Sequence, residues 1–182
     1  MLSSCQLGDL NAVKEILKSG NDHEKDIDGS NGFMIACHGG HLNIVKYLVE
    51  MNYNINLKDN FGNNGLMWAC RGGHLNIVNY LVEMNYNINE KDDGGKNSLM
   101  IAFSDRKYDI VIYLLEHGCE INEKYIKKIK SDEILCKKIE KRMEKVQTFY
   151  DEIEKNLNEI DIRIVHEIKA FTYGLQNLKM SY

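Results

Sequence analysis

The stretch ACHGGHLNIVKYLVEMNYNIN, from Ala36 to Asn56, returns 33 residues later as ACRGGHLNIVNYLVEMNYNIN, from Ala69 to Asn89. The two differ only at His38/Arg71 and Lys46/Asn79. The same period relates Asp26, Asp59 and Asp92, then Gly29, Gly62 and Gly95, then Ile44, Ile77 and Ile110. It also relates Val45, Val78 and Val111, and Asn56, Asn89 and Asn122. A weaker copy opens the chain, where GDLNAVKEILKSG matches GHLNIVKYLVEMN one residue out of register. Such a period specifies stacked units, because one short unit has an apolar face that it cannot bury alone.

Each copy divides into the same parts. A Gly/Asp/Asn-rich stretch such as DNFGNNG reads as a tight turn, since Gly and Asn tolerate the left-handed backbone. A short helix, LMWACRGG, is ended by glycines. A second helix, HLNIVNYLVEM, places Leu75, Ile77, Val78, Leu81 and Val82 mostly at helical spacing. Asn52, Asn85 and Gly118 then stand where a helix C-cap is expected.

The period, this layout and the segments NGFMIA (31–36), NGLMWA (64–69) and NSLMIA (97–102) resemble the ankyrin repeat, whose 33-residue unit carries a T-P-L-H-x-A signature. Asn stands for the Thr, Gly or Ser for the Pro, and Met for the His, while Gly40-His41, Gly73-His74 and the "IV" and "N-I-N" elements agree. The resemblance covers residues 4–124. It implies an all-α fold, an ankyrin-repeat α-solenoid of helix–turn–helix units joined by β-turn loops. Residues 1–124 form the array: an N-terminal capping repeat at 1–25, then 26–58, 59–91 and 92–124. Losing the rigid Pro and the buried His predicts a softer array than a consensus one.

Cys37/His41 and Cys70/His74 raise the question of a duplicated metal site. Zinc needs ligand atoms about 2.0–2.3 Å from the ion, and neither pair has two further ligands near it in the repeat. Cys37 and Cys70 fall where the ankyrin family has a small buried residue, and Cys serves there as a small hydrophobe. His41 and His74 match a position whose ring ties a helix start to a neighbouring turn. No metal and no cofactor is expected. There is no phosphate loop after a strand, no nucleophile elbow and no HExxH helix, so no catalytic residue and no enzyme is expected.

By resemblance, such arrays bind proteins on a concave face built from turn tips and the exposed side of each first helix. Carried over by position, the turn-tip candidates are Ile27, Asp28, Ser30, Asn60, Phe61, Asn63 and Lys96, with Asp93 and Gly94. The first-helix candidates are His38, Arg71, Ser104 and Asp105, with Gly39 and Gly72. Phe61 is the strongest pointer, because an aromatic at a turn tip has little core to join and aromatics are enriched in hot spots. The alternative is packing on the adjacent turn. Arg71 replaces His38 inside a nearly copied block, so the divergence falls on a contact position. Trp68, the only tryptophan, reads either as a packing residue or as part of that face. Tyr53 and Tyr86 are candidates for an exposed aromatic ladder, and Asn56, Asn89 and Asn122 for loop-bracing hydrogen bonds.

Composition narrows the partners. Acidic side chains outnumber basic ones as far as residue 123, which argues against nucleic acid and favours a basic or mixed peptide. From Lys124 the balance reverses, marking a boundary before a tail at 125–182. The absence of proline and the abundance of Asn, Ile, Lys and Tyr fit an AT-rich genome. Five scattered cysteines, no secretory signal and no apolar run of membrane-spanning length predict an intracellular, cytoplasmic setting, that of the host if the source is viral or parasitic.

In the tail, Cys136, Ile139, Met143, Val146, Tyr150, Ile153, Leu157, Ile160 and Ile164 alternate spacings of three and four, the seam of a coiled coil or bundle helix. Two structures fit: one long helix that self-associates through this seam as a homodimer, or a helical hairpin broken near Asn156-Leu157-Asn158. The basic stretch 124–145 reads as a solvated helix face or as a contact for an acidic partner. The functional expectation is a non-enzymatic module that binds another protein, its tail mediating self-association or docking. The alternatives are a parasite or viral adaptor whose tail recruits a host machine, and a structural assembly protein built on the long helix.

Overall fold

The computed structural model describes residues 1–20 and 24–154, with side chains as far as 145. Among its described residues the regular elements are helices joined by turns, and the chain falls into two compact units, Met1–Leu114 and Leu115 onward. In the first unit four helical pairs follow one another. They are α1 (Leu2–Leu7) with α2 (Leu10–Lys18), α3 (Gly32–Gly39) with α4 (Leu42–Glu50), α5 (Gly65–Gly72) with α6 (Leu75–Glu83), and α7 (Ser98–Ser104) with α8 (Tyr108–Glu116). The first helices pack in the row α1–α3–α5–α7, and the second helices α2, α4 and α6 form a row behind them.

The repeat period decides what is buried. Ile44, Val45 and Leu48 on α4 and Ile77, Val78 and Leu81 on α6 are all fully buried. Each such side chain contributes about 1.5–3 kcal/mol on burial, but only because a neighbouring repeat covers it. Cys5, Cys37 and Cys70 occupy equivalent positions and are fully buried as well.

Each of the first helices α3, α5 and α7 is capped by an Asn. The side chains of Asn31, Asn64 and Asn97 accept from the amides of Met34, Met67 and Met100 at 3.0, 3.0 and 3.1 Å. An Asn or Thr N-cap contributes about 1 kcal/mol in either case. The Gly that follows has its own reason. A Cβ on Gly65 would lie 2.3 Å from the Phe33 ring, so the bulky residue of one repeat requires a glycine in the next. Where Leu66 replaces Phe33, the corresponding residue, Ser98, carries a Cβ.

The Gly-His pairs join consecutive repeats. His41 Nε2 donates to Gln6 O at 3.0 Å and His74 Nε2 to His38 O at 2.8 Å. Each ring lies against the left-handed glycine of the preceding repeat: a Cβ on Gly40 (φ 81°) would meet His74 at 2.6 Å. These are loop-bracing roles, as the sequence suggests. In the last repeat Arg106 takes the left-handed position (φ 55°) and Lys107 the place of the histidine.

Three expectations change. Tyr86 is not an exposed rung: it is buried, and its hydroxyl donates to Ile55 O at 2.7 Å. The aromatic series on the outer side is Tyr47 and Tyr80, each under a lysine of the preceding repeat, Lys14 and Lys46, at 5.3 and 5.4 Å. The loops at 54–56 and 87–89 are braced by the side chains of Asn54 and Asn87, which accept from the amides of Asn56 and Asn89, while Asn122 is the N-cap of a helix.

That helix, α9 (Glu123–Lys130), opens the described helices of the second unit after α8, and α10 (Glu133–Glu154) follows. The cap of α10 is Asp132, which accepts from Leu135 N at 3.0 Å, and Ser131 closes α9. Arg142 pairs with Glu116 at 2.9 Å.

Candidate functional site

The turns are built around Asp26, Asp59 and Asp92. Asp26 Oδ1 accepts from the amides of Asp28 and Ser30, at 3.0 and 2.8 Å, and Asp92 Oδ1 accepts from Lys96 N at 2.7 Å. Successive tips are zipped by Asn60 N to Asp28 O at 2.8 Å and Asp93 N to Phe61 O at 3.0 Å. Asn60 Nδ2 also donates to Ile27 O at 3.2 Å. The tips therefore form one continuous edge with fixed side-chain positions.

Asp59 does more than its counterparts. Its Oδ1 accepts from Phe61 N at 2.9 Å and Asn63 N at 2.8 Å. Its Oδ2 accepts from Asn63 Nδ2 at 3.0 Å and Trp68 Nε1 at 3.1 Å. One buried carboxylate thus fixes an aromatic turn tip and an aromatic on the first helix. The equivalents of Trp68 are Ile35 and Ile101, which have no indole N–H to donate.

Trp68 is half-buried and lies between the two residues that differ within the copied block. His38 meets its ring edge-on at 5.3 Å, and the Arg71 guanidinium lies 5.3 Å from its centroid. The indole is anchored through its N–H to Asp59 and remains partly exposed. His38 titrates below its ordinary value of 6.5, because of burial first and then the neighbouring His74, Arg71 and Lys107.

The other candidates divide by exposure. Ile27 is 95% exposed and Phe61 58%. Asp28, Asn60, Lys96, Ser104 and Asp105 are also exposed. Ser30 and Asn63 are not available to a partner: both are buried, and their amides serve the turn aspartates. Sequence reading missed Asp59 as the anchor of Trp68 and the place of Lys107 beside Gly73; the alignment of Lys107 with His41 and His74 carried the latter signal.

Among the described residues no group of three or more His, Cys, Asp or Glu side chains is placed to hold a metal ion. Nor is any described helix long and apolar enough to cross a membrane. Of the tail seam, Ile139 and Met143 are half-buried. The side chains of Val146, Tyr150 and Ile153 lie outside the described ones, as do residues Leu157, Ile160 and Ile164 altogether, and with them the choice between one helix and a hairpin.

Four like-built helical pairs, joined by aspartate-braced turns, define a helix–turn–helix repeat array. Residues 1–92 and 51–125 match the family described as ankyrin repeats in three copies, and the chain belongs to the ankyrin-repeat family. It is similar to the putative ankyrin repeat protein L63 of Acanthamoeba polyphaga mimivirus, 34% identical over 55 residues. That match covers 30% of this chain and 8% of the viral protein.

Proposed function

We propose that the array binds a protein partner across its turn tips and first helices, centred on Phe61, Trp68 and Arg71 in repeat 59–91. The reading rests on Trp68: a large aromatic held half-exposed by a dedicated hydrogen bond is costly to leave in water unless something covers it. Aromatic and arginine side chains carry much of the energy of protein interfaces. Ile27, Asp28, Asn60, His38, Lys96, Ser104 and Asp105 border this centre. No chemistry is assigned to the array beyond binding.

Capture with the full chain tests this. A partner retained by the wild type and by Lys46→Ala on the outer helix row, but lost with Phe61→Ala, supports the reading. Retention by Phe61→Ala with loss on the outer row sinks it.

Residues 125–182 are proposed as a helical tail serving self-association or docking, supported by the three-four spacing that begins at Cys136. A light-scattering series from low to high concentration tests this; a monomer throughout removes the homodimer. The likeness to a putative mimivirus ankyrin repeat protein is compatible with a viral adaptor, which capture with residues 125–182 deleted would examine.

A further inference from the structure

The chain is acidic as a whole, with a formal charge of −4, yet the centre of the proposed face is not. Along the C-terminal ends of the first helices stand His38, Arg71, Arg106 and Lys107, with His74 beside them. A Cβ on Gly73 would come within 3.1 Å of Lys107 Nζ, so this ammonium lies over the Arg71–Gly73 segment. Neither Arg71 nor Lys107 makes an ion pair among the described residues. The titratable and charged groups acting on His38 are His74 and Arg71 from the α5–α6 pair and Lys107 from the start of α8, none of them a carboxylate. From α1 the facing residue is the neutral Gln6, aligned with His38.

Arg71 and Lys107 beside a half-exposed indole, whose N–H partner Asp59 is buried and already taken up by its own hydrogen bonds, are the arrangement that an incoming anion completes. Arginine suits this because its planar fork takes an oxyanion through two parallel hydrogen bonds. Stacking on Trp68 limits the freedom of that fork before binding. The patch is small, and exposed Asp28, Asp93 and Asp105 border it, which repels an extended polyanion such as nucleic acid.

We propose that Arg71, with Lys107 and His38, receives one acidic side chain of the partner, a carboxylate or a phosphoryl group, while an adjacent apolar residue of the partner lies on Trp68 and Phe61. This rests on the reading of the face as a protein-binding surface, and it reverses the basic partner that net charge alone suggests. An oxyanion there favours the protonated imidazole, so binding takes up protons at His38. Affinity therefore rises as pH falls through the range in which free His38 titrates.

The test uses the full chain and synthetic twelve-residue peptides on one Leu/Phe frame, with Glu, Gln, Lys or phosphoserine at the polar positions, and a twelve-residue oligothymidylate. Trp68, as the only tryptophan, reports by fluorescence, and the His38 ring by its proton resonance against pH. The Glu peptide is expected to bind at least tenfold more tightly than the Gln peptide, with the Lys peptide weakest, and to raise the His38 midpoint. Arg71→Gln reduces the Glu peptide to the Gln value at an unchanged melting temperature, and Arg71→Lys falls between. The tighter of the Glu and phosphoserine peptides identifies the source of the oxyanion.

Equal binding of Glu and Gln peptides, a preference that survives Arg71→Gln, or tighter binding of the oligothymidylate overturns the inference. If the Gln peptide still perturbs Trp68, the face remains a peptide-binding surface and only the oxyanion fails. Silence of Trp68 and His38 with every peptide also overturns it, and the Phe61→Ala capture then decides separately whether the face binds protein.

Discussion

The indole N–H of Trp68 donates to Asp59 Oδ2 across 3.1 Å, and the other oxygen of the same carboxylate receives the Phe61 amide at 2.9 Å. The two aromatics of the proposed face thus share one buried anchor. Asp59→Asn keeps an acceptor but turns an NH2 group toward donors. It should cost about 1–3 kcal/mol, lower the melting temperature and red-shift Trp68 emission. Asp26→Asn should cost less, because the residue aligned with Trp68 is Ile35. Equal losses in thermal melts of the two variants would contradict this division of labour.

Gly65 is required by Phe33. Gly65→Ala forces a methyl to within 2.3 Å of the ring and should destabilise the array by about 1–3 kcal/mol. In a Phe33→Leu background the same change should cost much less, reproducing the pairing of Leu66 with Ser98. A double-mutant cycle by urea denaturation measures this coupling; additive effects would exclude it.

The cysteines are packing residues. Cys5, Cys37, Cys70 and Cys119 are buried, and burial pushes the Cys5 thiol up to about 11 and Cys37 well above its ordinary value. Few thiolates are present at neutral pH, so alkylation of the folded chain followed by mass measurement should label Cys136, the half-buried one, first. Fast labelling of Cys37 or Cys70 would contradict the packing role.

Acid should loosen the joint between repeats 26–58 and 59–91. The hydrogen bond from Lys58, and then that from Asn64, hold Glu90 below its ordinary 4.5. Because the folded value is the lower one, this stabilisation is complete above the unfolded value and is lost as pH falls through the folded value. His38, also depressed, acts in the same direction below pH 6.5. Urea midpoints from pH 7 to 3 should fall with acid, and less steeply in Lys58→Gln. Parallel curves for the two proteins would remove Glu90 from the account.

The period made the array readable: identical side chains 33 apart cannot be explained by one helix, and the glycine and histidine positions follow from the unit's geometry. What periodicity hides is direction. Ser30 and Asn63 share a turn with exposed Asp28 and Phe61, yet the aspartate at the start of each turn draws them inward. Tyr86 looks like a free aromatic until the preceding loop supplies Ile55 O. The charge of the face was also invisible, because a net count averages Arg71 and Lys107 with acids elsewhere. Lys58, Glu90 and Asn64 form a cross-repeat joint that no local pattern announces.

The most direct measurement is the affinity of the full chain for its captured partner across a small set of variants. Phe61→Ala and Arg71→Gln should each weaken binding by ten- to thirtyfold or more, as central interface residues do. Lys46→Ala, on the outer helix row, should change it less than twofold. Unchanged affinity in the first two, or a large loss in the third, would contradict a partner seated on the turn-tip and first-helix face.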